Sequence, residues 1–280
     1  MEKAIVGYLT DLKVAGRSPT TLESYGQTLR AFCRHVGAHQ VRHPQQVRAD
    51  DVRGYLMALR EAGDKSSTIR HQAIIIGCFF NWLIQRGNLR SNPMRQVTRP
   101  KATSSTRRPL AKEEVVAMLA VANRTRKATR NTAILYLLLD TGVRASELLG
   151  IHASDYSQAT STLTIMGKGN KQRTVRMGQR CKAAFEEYLA GRDDGLWGLT
   201  RGGLEALVER LGHKVGIHTY PHQFRHTFAA YWLENGGGLD ELQVLLGHAS
   251  IATTMIYVRV GQQDRALRSH AEHSPGDRLQ

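Results

Sequence analysis

The stretch TRPKATSSTRRP, residues 98–109, does more than any other to limit what this chain can fold into. It mixes Pro, Ser, Thr and Arg with no apolar period, so it has nothing with which to bury itself as a helix or strand. Patterned sequence flanks it on both sides, and the 280 residues have room for two ordinary domains. The expected organisation is a helical domain at residues 1–97, a basic linker at 98–109 and a second domain at 110–280.

The first domain reads as helix throughout. Ile5, Tyr8, Leu9 and Leu12 recur at i, i+3, i+4 and i+7, and Gly16 stops the run. Ser18 then Pro19 is an N-cap followed by a first-turn proline, opening a helix with Leu22, Tyr25, Leu29 and Phe32 on one face. A third helix is expected after Asp50, carrying Val52, Tyr55, Leu56 and Leu59 and ending near Gly63. Ser66 or Ser67 is the expected cap of a fourth, with Ile69, Ala73, Phe80 and Leu83, closed by Gly87. Compact helical modules of this kind commonly lay helices against DNA, although a bundle that binds nothing has the same pattern.

Beyond the linker, helices are expected through Val115 to Leu119 and Ala133 to Leu139. The period then changes from 3.6 to 2. Thr162 to Met166 and Arg173 to Arg176 read as two strands joined by a basic hairpin tip at Gly167 to Gln172. Helices return around Cys181 to Ala190, Leu204 to Val215, Pro221 to Glu234, Leu239 to Leu246 and Ser250 to Tyr257. The expected fold class is mainly α: an all-helical amino-terminal domain plus a mixed α+β domain with a small antiparallel sheet.

Thirty-nine Lys and Arg against 24 Asp and Glu leave a net charge of +15, which points to a polyanionic partner such as nucleic acid. Residues 1–100 carry 15 bases and 7 acids, so the helical part is strongly basic. No run approaches the roughly 20 apolar residues of a membrane span. The start MEKAIVGYLTDLK has charges where a signal peptide has its apolar core. Cys33, Cys78 and Cys181 are too scattered for a disulfide framework or a cysteine zinc site, so a reduced cytoplasm is the expected location.

Each chemical motif is weak alone. Arg144 and Glu147, three apart, are usually a surface ion pair. Lys168, Lys171 and Arg173 sit on a glycine-loosened hairpin that can approach phosphates or simply face water. His222 and Arg225 share a helical face, with His226 one turn from His222. That histidine pair is half of an H-E-x-x-H pattern, but the Glu and a third ligand are missing, so no metal and no cofactor are expected. His248 follows a helix end, and Tyr257 taken alone reads as a core tyrosine. Together they supply what phosphodiester transfer needs: a nucleophile, cations for two non-bridging oxygens, and a proton for the leaving oxygen.

The ordered segments TGVRASEL, GKGNKQR, PHQFRHTFA and LLGHASIATTMIYVRV make the chain resemble the tyrosine recombinases, also called phage integrase-type or Xer-like site-specific recombinases. The resemblance covers about Leu110 to Tyr257, and the first 97 residues resemble that family's core-binding domain. It implies that Tyr257 is the nucleophile of a 3′-phosphotyrosine intermediate, and that Arg144 and Arg225 hold the scissile phosphate. It further implies that Lys168 is the general acid, with Lys171 as the competing choice, that His222 and His248 act as acid/base or donor groups, and that Glu147 orients the site. Phe224 departs from the family's usual Leu and should pack inward. The implied partners are double-stranded recombination sites and further copies of the chain in a tetrameric synapse, with the tail after Tyr257 either exchanged between copies or frayed. At this length no additional amino-terminal arm-binding domain is expected; accessory factors stay open, and no membrane partner is implied. A type IB topoisomerase-like enzyme and a non-catalytic DNA-binding protein are the alternatives.

Overall fold

The computed structural model describes residues 1–99, 108–167, 172–190, 196–248 and 250–258, without the side chains of 252 and 256–258. The chain forms two compact units, Met1–Ser105 and Thr106–Gln280. Most of the expected linker, residues 100–107, lies outside the described residues, as do hairpin-tip residues 168–171 and the tail from 259 on.

The first unit contains α1 (Glu2–Val14), α2 (Pro19–Ala38), α3 (Ala49–Glu61) and α4 (Ser66–Gln85). The α2 start matches its sequence signals: Pro19 opens the helix and the Ser18 hydroxyl accepts the Thr21 N–H at 3.3 Å. Two starts differ. α3 begins at Ala49, before Asp50, because the Asp51 carboxylate at the third helical position accepts the Arg48 N–H at 2.7 Å and satisfies one orphan donor there. α4 begins at Ser66 with Lys65 at the cap position, so neither serine caps it. Two short 3₁₀ turns, Pro44–Gln46 and Pro93–Gln96, carried no apolar period to reveal them. The second is fixed by buried Asn92, whose amide donates to Gly77 O and whose oxygen accepts the Met94 N–H. The stripes of α2 and α4 meet in an aromatic core where Leu29, Phe32, Ala73, Phe79 and Phe80 are fully buried.

The second unit runs α5 (Lys112–Asn123), α6 (Ala128–Thr141), α7 (Ala145–Leu149), β1 (Tyr156–Ser157), β2 (Thr162–Met166), β3 (Gln172–Arg176), α8 (Gln179–Leu189), α9 (Arg201–His213), α10 (Pro221–Glu234), α11 (Leu239–Leu246) and α12 (Ile251–Val258). The strands form one antiparallel sheet in the order β1-β2-β3, with Leu163 opposite Val175 and Ile165 opposite Arg173. Period-2 patterning puts Leu163, Ile165 and Val175 in the core. β1 has only two residues, too few to show alternation in the sequence. α6 packs on α8, α10 and α5, which explains its nearly continuous apolar run: Ala133, Ile134, Leu135, Leu137 and Leu138 are all buried. α10 lies across α6 with Phe224 fully buried, inward as expected. The start of the unit is strapped to α10: Thr227 Oγ1 accepts the Leu110 N–H at 2.9 Å, and the Tyr231 hydroxyl donates to Leu110 O at 2.8 Å.

Candidate active site

The site begins with a glycine that no other residue can replace without strain. α6 ends at Gly142 in the left-handed conformation, φ +59°. A Cβ there would stand 2.4 Å from Phe228 Cδ1 and 2.9 Å from Leu246 Cδ2. The missing side chain lets α10 and α11 close over the end of α6 and leaves the Gly142 carbonyl pointing at Arg225, whose Nη1 donates to it at 2.6 Å. Arg225 Nη2 donates to Leu246 O, also at 2.6 Å, and Leu246 is the last residue of α11. Two helix C-termini, each carrying partial negative charge, therefore hold one guanidinium that is only 1% exposed.

Gly247, also left-handed at φ +63°, ends α11 and turns His248 toward the same arginine. His248 Nε2 lies 3.0 Å from Arg225 Nη2, and its Nδ1 lies 2.8 Å from Thr254 Oγ1. Arginine only donates, so Nε2 accepts, and a neutral ring then carries its proton on Nδ1 and donates to the buried threonine. Thr254 belongs to α12, so the histidine links Arg225 to the helix that bears Tyr257.

A second arginine pair surrounds one carboxylate. Glu147, near the start of α7, accepts the Arg144 N–H at 2.8 Å and Arg144 Nη1 at 2.7 Å. Arg173 on β3 forks onto both its oxygens at 3.0 and 2.8 Å, and its Nε donates to Leu245 O at 2.9 Å. Burial pushes the Glu147 carboxyl up, but the Arg173 fork, the Arg144 N–H and the two positive charges outweigh it and bring it down to about 2. Arg173 is therefore committed to Glu147 and not to the hairpin tip, a correction to its grouping with Lys168 and Lys171. The Arg144 side chain is the more open of the pair, at 36% exposure against 11% for Arg173.

His222 and His226 stand on the first turns of α10, ring centroids 4.9 Å apart and edge to face. Burial, then His226 and the charges of Arg225 and Arg144, push the His222 imidazole down to about 4. Burial and then Arg225, Arg144 and Arg173 do the same to His248. His222 keeps an open face to water, and solvent there moderates the effect. Both rings are neutral at pH 7. Three guanidiniums set against the single carboxylate of Glu147 leave the cluster positively charged, which suits an anion.

Residues 108–264 match the phage integrase family, and residues 5–87 match its N-terminal SAM-like domain. The tyrosine recombinase XerD of Halalkalibacterium halodurans is 34% identical over 264 residues, covering 88% of each chain. The chain belongs to the phage integrase family. As a tyrosine recombinase it is a site-specific DNA strand transferase, in common with XerC of Yersinia pestis, which is 30% identical across 91% of this chain and 89% of that protein. The fold is also that of a lambda integrase dimer bound to a COC′ core site: TM-score 0.76, 17% identity, 92% of this chain and 94% of that one. Tn1549 transposon integrase in complex with a circular intermediate DNA has a TM-score of 0.75 at 19% identity, covering 91% of this chain and 94% of that one.

Within this recombinase, Arg144, Glu147, His222, Arg225 and His248 come together around the ends of α6 and α11 and the starts of α7 and α10. Lys168 and Lys171 lie outside the described residues, and Tyr257 is described only as backbone of α12. Two supporting residues escaped the sequence reading. Thr254 looks like one more threonine of an apolar helix, and Gly142 like an ordinary helix stop. The juxtaposed motif ends, TG before VR and LG before H, are the signal that marks both turns as built around one arginine.

Proposed function

We propose that the recombinase cuts and rejoins double-stranded DNA through Tyr257. The tyrosine hydroxyl gives up its proton to solvent as its oxygen attacks the scissile phosphorus, the P–O5′ bond breaks, and the departing 5′ oxygen takes a proton. A 3′-phosphotyrosine ester keeps the energy of the broken bond, and attack by a 5′-hydroxyl from a partner strand reverses the chemistry without ATP. Arg144 and Arg225 neutralise the non-bridging oxygens as charge grows on them. Lys168 gives the proton to the 5′ oxygen, since lysine, unlike arginine, can release one. His222 is a donor to the phosphate, and Glu147 holds Arg144 at its post. His248, with Nε2 accepting from Arg225 and Nδ1–H on Thr254, steadies that arginine and becomes a donor itself only when DNA binding protonates Nε2. The observation that carries this reading is the Gly142–Arg225–His248–Thr254 chain of contacts, which ties a buried guanidinium to the helix bearing Tyr257.

Residues 1–97 serve as the core-binding domain and 110–280 as the catalytic domain, with 98–109 as a basic linker. The active assembly is a tetramer on two recombination sites in the cytoplasm, with the tail after Tyr257 exchanged between copies. The lambda integrase dimer bound to a core site and the Tn1549 integrase bound to DNA support DNA and self-association as partners. A duplex selected from a random pool by the protein's own binding, nicked next to the cleavage position, tests this. The wild type should accumulate a covalent adduct and Tyr257→Phe should bind without forming one. An undiminished adduct in the variant overturns the assignment.

A further inference from the structure

Away from the arginine cluster, the outer end of α9 gathers a different set of groups. Glu209 and His213 stand at i and i+4 on one face of the helix, and His218 follows in the segment that leads into α10. Glu209 Oε1 lies 3.9 Å from His213 Nε2 and 3.6 Å from His218 Nδ1, and one ligand atom from each of the three lies within 4.8 Å of the others. The two rings meet edge to face with centroids 6.1 Å apart. Among the described residues this is the one grouping of three histidine, cysteine or carboxylate ligands so close together.

We propose that Glu209, His213 and His218 form a binding site for one divalent transition-metal ion, zinc or a close chemical neighbour, that fastens the end of α9 to the segment entering α10. Two imidazoles and one carboxylate are a borderline donor set of the kind that zinc, nickel and copper favour over magnesium or calcium. A tetrahedral ion with bonds of about 2.1 Å puts its ligand atoms roughly 3.4 Å apart. The observed 3.6 and 3.9 Å are within a small rotamer adjustment of that spacing. A fourth position is left for water.

The backbone holds the ligands ready. Helix geometry fixes Glu209 relative to His213. His218 is fixed from both sides: Ile217 N donates to Gly212 O at 3.0 Å, and Thr219 is fully buried. Gly216, left-handed at φ +77°, makes the reversal, with its N–H on His213 O at 3.1 Å. Gly212 allows the segment to lie flat on the helix, since a Cβ there would stand 2.5 Å from Thr219 Cγ2 and 2.9 Å from Ile217 O. The segment ends at Pro221, the first residue of the helix that carries His222 and Arg225. A bound ion would therefore brace the approach to α10 from outside, without touching the phosphate-holding groups.

All three ligands are at least half exposed, so replacing them should leave the fold intact. The full chain is titrated with Zn²⁺ by calorimetry, alongside His218→Ala and Glu209→Gln, with the metal-free melting of each variant checked against the wild type. The wild type should take up one Zn²⁺ per chain and melt at a higher temperature when loaded. Each variant should bind at least about tenfold more weakly, since even the loss of an outer-sphere partner costs that much, and should lose the thermal shift. The proposal is overturned if the wild type takes up no stoichiometric zinc. It is equally overturned if both variants bind as tightly as the wild type, which would move the ion to other histidines such as His35 and His39. Zinc uptake without a rise in melting temperature would refute the bracing.

Discussion

Replacing Glu147 by Gln removes one charge and almost no volume, which makes it a clean test of what holds the arginine cluster. The carboxylate is 6% exposed and receives four hydrogen bonds from Arg144 and Arg173. Its carboxyl is lowered from 4.5 to about 2, and at 1.36 kcal/mol per unit this corresponds to about 3 kcal/mol in favour of the charged form. Removing one member of a buried ion pair costs about 3 to 5 kcal/mol in other proteins, so the two routes agree. Glutamine also turns an NH₂ toward the Arg173 fork, where only acceptors fit. The depressed carboxyl contributes stability above pH 4.5 and loses it as the pH falls toward 2, whereas the variant has no such dependence. Expected is a loss of about 3 kcal/mol at neutral pH that narrows below pH 4.5. Urea unfolding reports this in a Trp82→Phe background, where Trp197 and Trp232 follow the second unit alone. A variant within about 0.5 kcal/mol of the wild type at neutral pH would refute the reasoning, because that is the range of ordinary surface changes. So would a gap that stays constant down to pH 3.

Other outcomes follow from the same contacts. Gly142→Ala should cost about 2 to 4 kcal/mol by calorimetry, from a strained φ and a clash with Phe228, whereas Gly16→Ala, equally left-handed but open to water, should cost about 1 kcal/mol. In the DNA-free protein, NMR titration should place the His248 midpoint near 4 and the His222 midpoint below the ordinary 6.5 but less far down, because its exposed face is solvated. Because those values are depressed, the unfolded chain takes up protons first, and the two rings weaken the fold as the pH drops from 6.5 toward 4. Midpoints at the ordinary 6.5 would contradict the charge arrangement. Thr254→Val removes the acceptor of His248 Nδ1–H at a cost of about 1 to 3 kcal/mol and should shift the ring's tautomer, read from its ¹⁵N frequencies.

The sequence carried the elements whose signals are local. Ser18-Pro19 marks the start of α2, Pro221 that of α10, and alternating Leu163 and Ile165 reveal a strand because each signal acts within a few residues. Contacts across long separations were not legible. Arg173 looks like one more cation on a basic hairpin, yet its partner Glu147 lies 26 residues earlier and its carbonyl acceptor 72 residues later. Arg225 likewise shows its residue type but not its burial, which depends on carbonyls 83 residues before and 21 after. The α3 start was misplaced because Asp50 resembles a cap, while the neighbouring Asp51 reaches back from inside the helix. The zinc reading of the sequence stopped at His222 and His226 on one helix. Glu209, His213 and His218 escaped it because their grouping depends on a reversal after α9.

The central claim, that DNA is joined covalently to Tyr257, is tested most directly by mapping the adduct. The covalent complex is trapped on a nicked duplex, digested with nuclease and trypsin, and sequenced by mass spectrometry. The account predicts a single nucleotide-bearing peptide, running from His226 to Arg259, with the phosphate on Tyr257. A phosphate carried by Tyr220, Tyr231 or any serine, or an adduct stable in Tyr257→Phe, would contradict it.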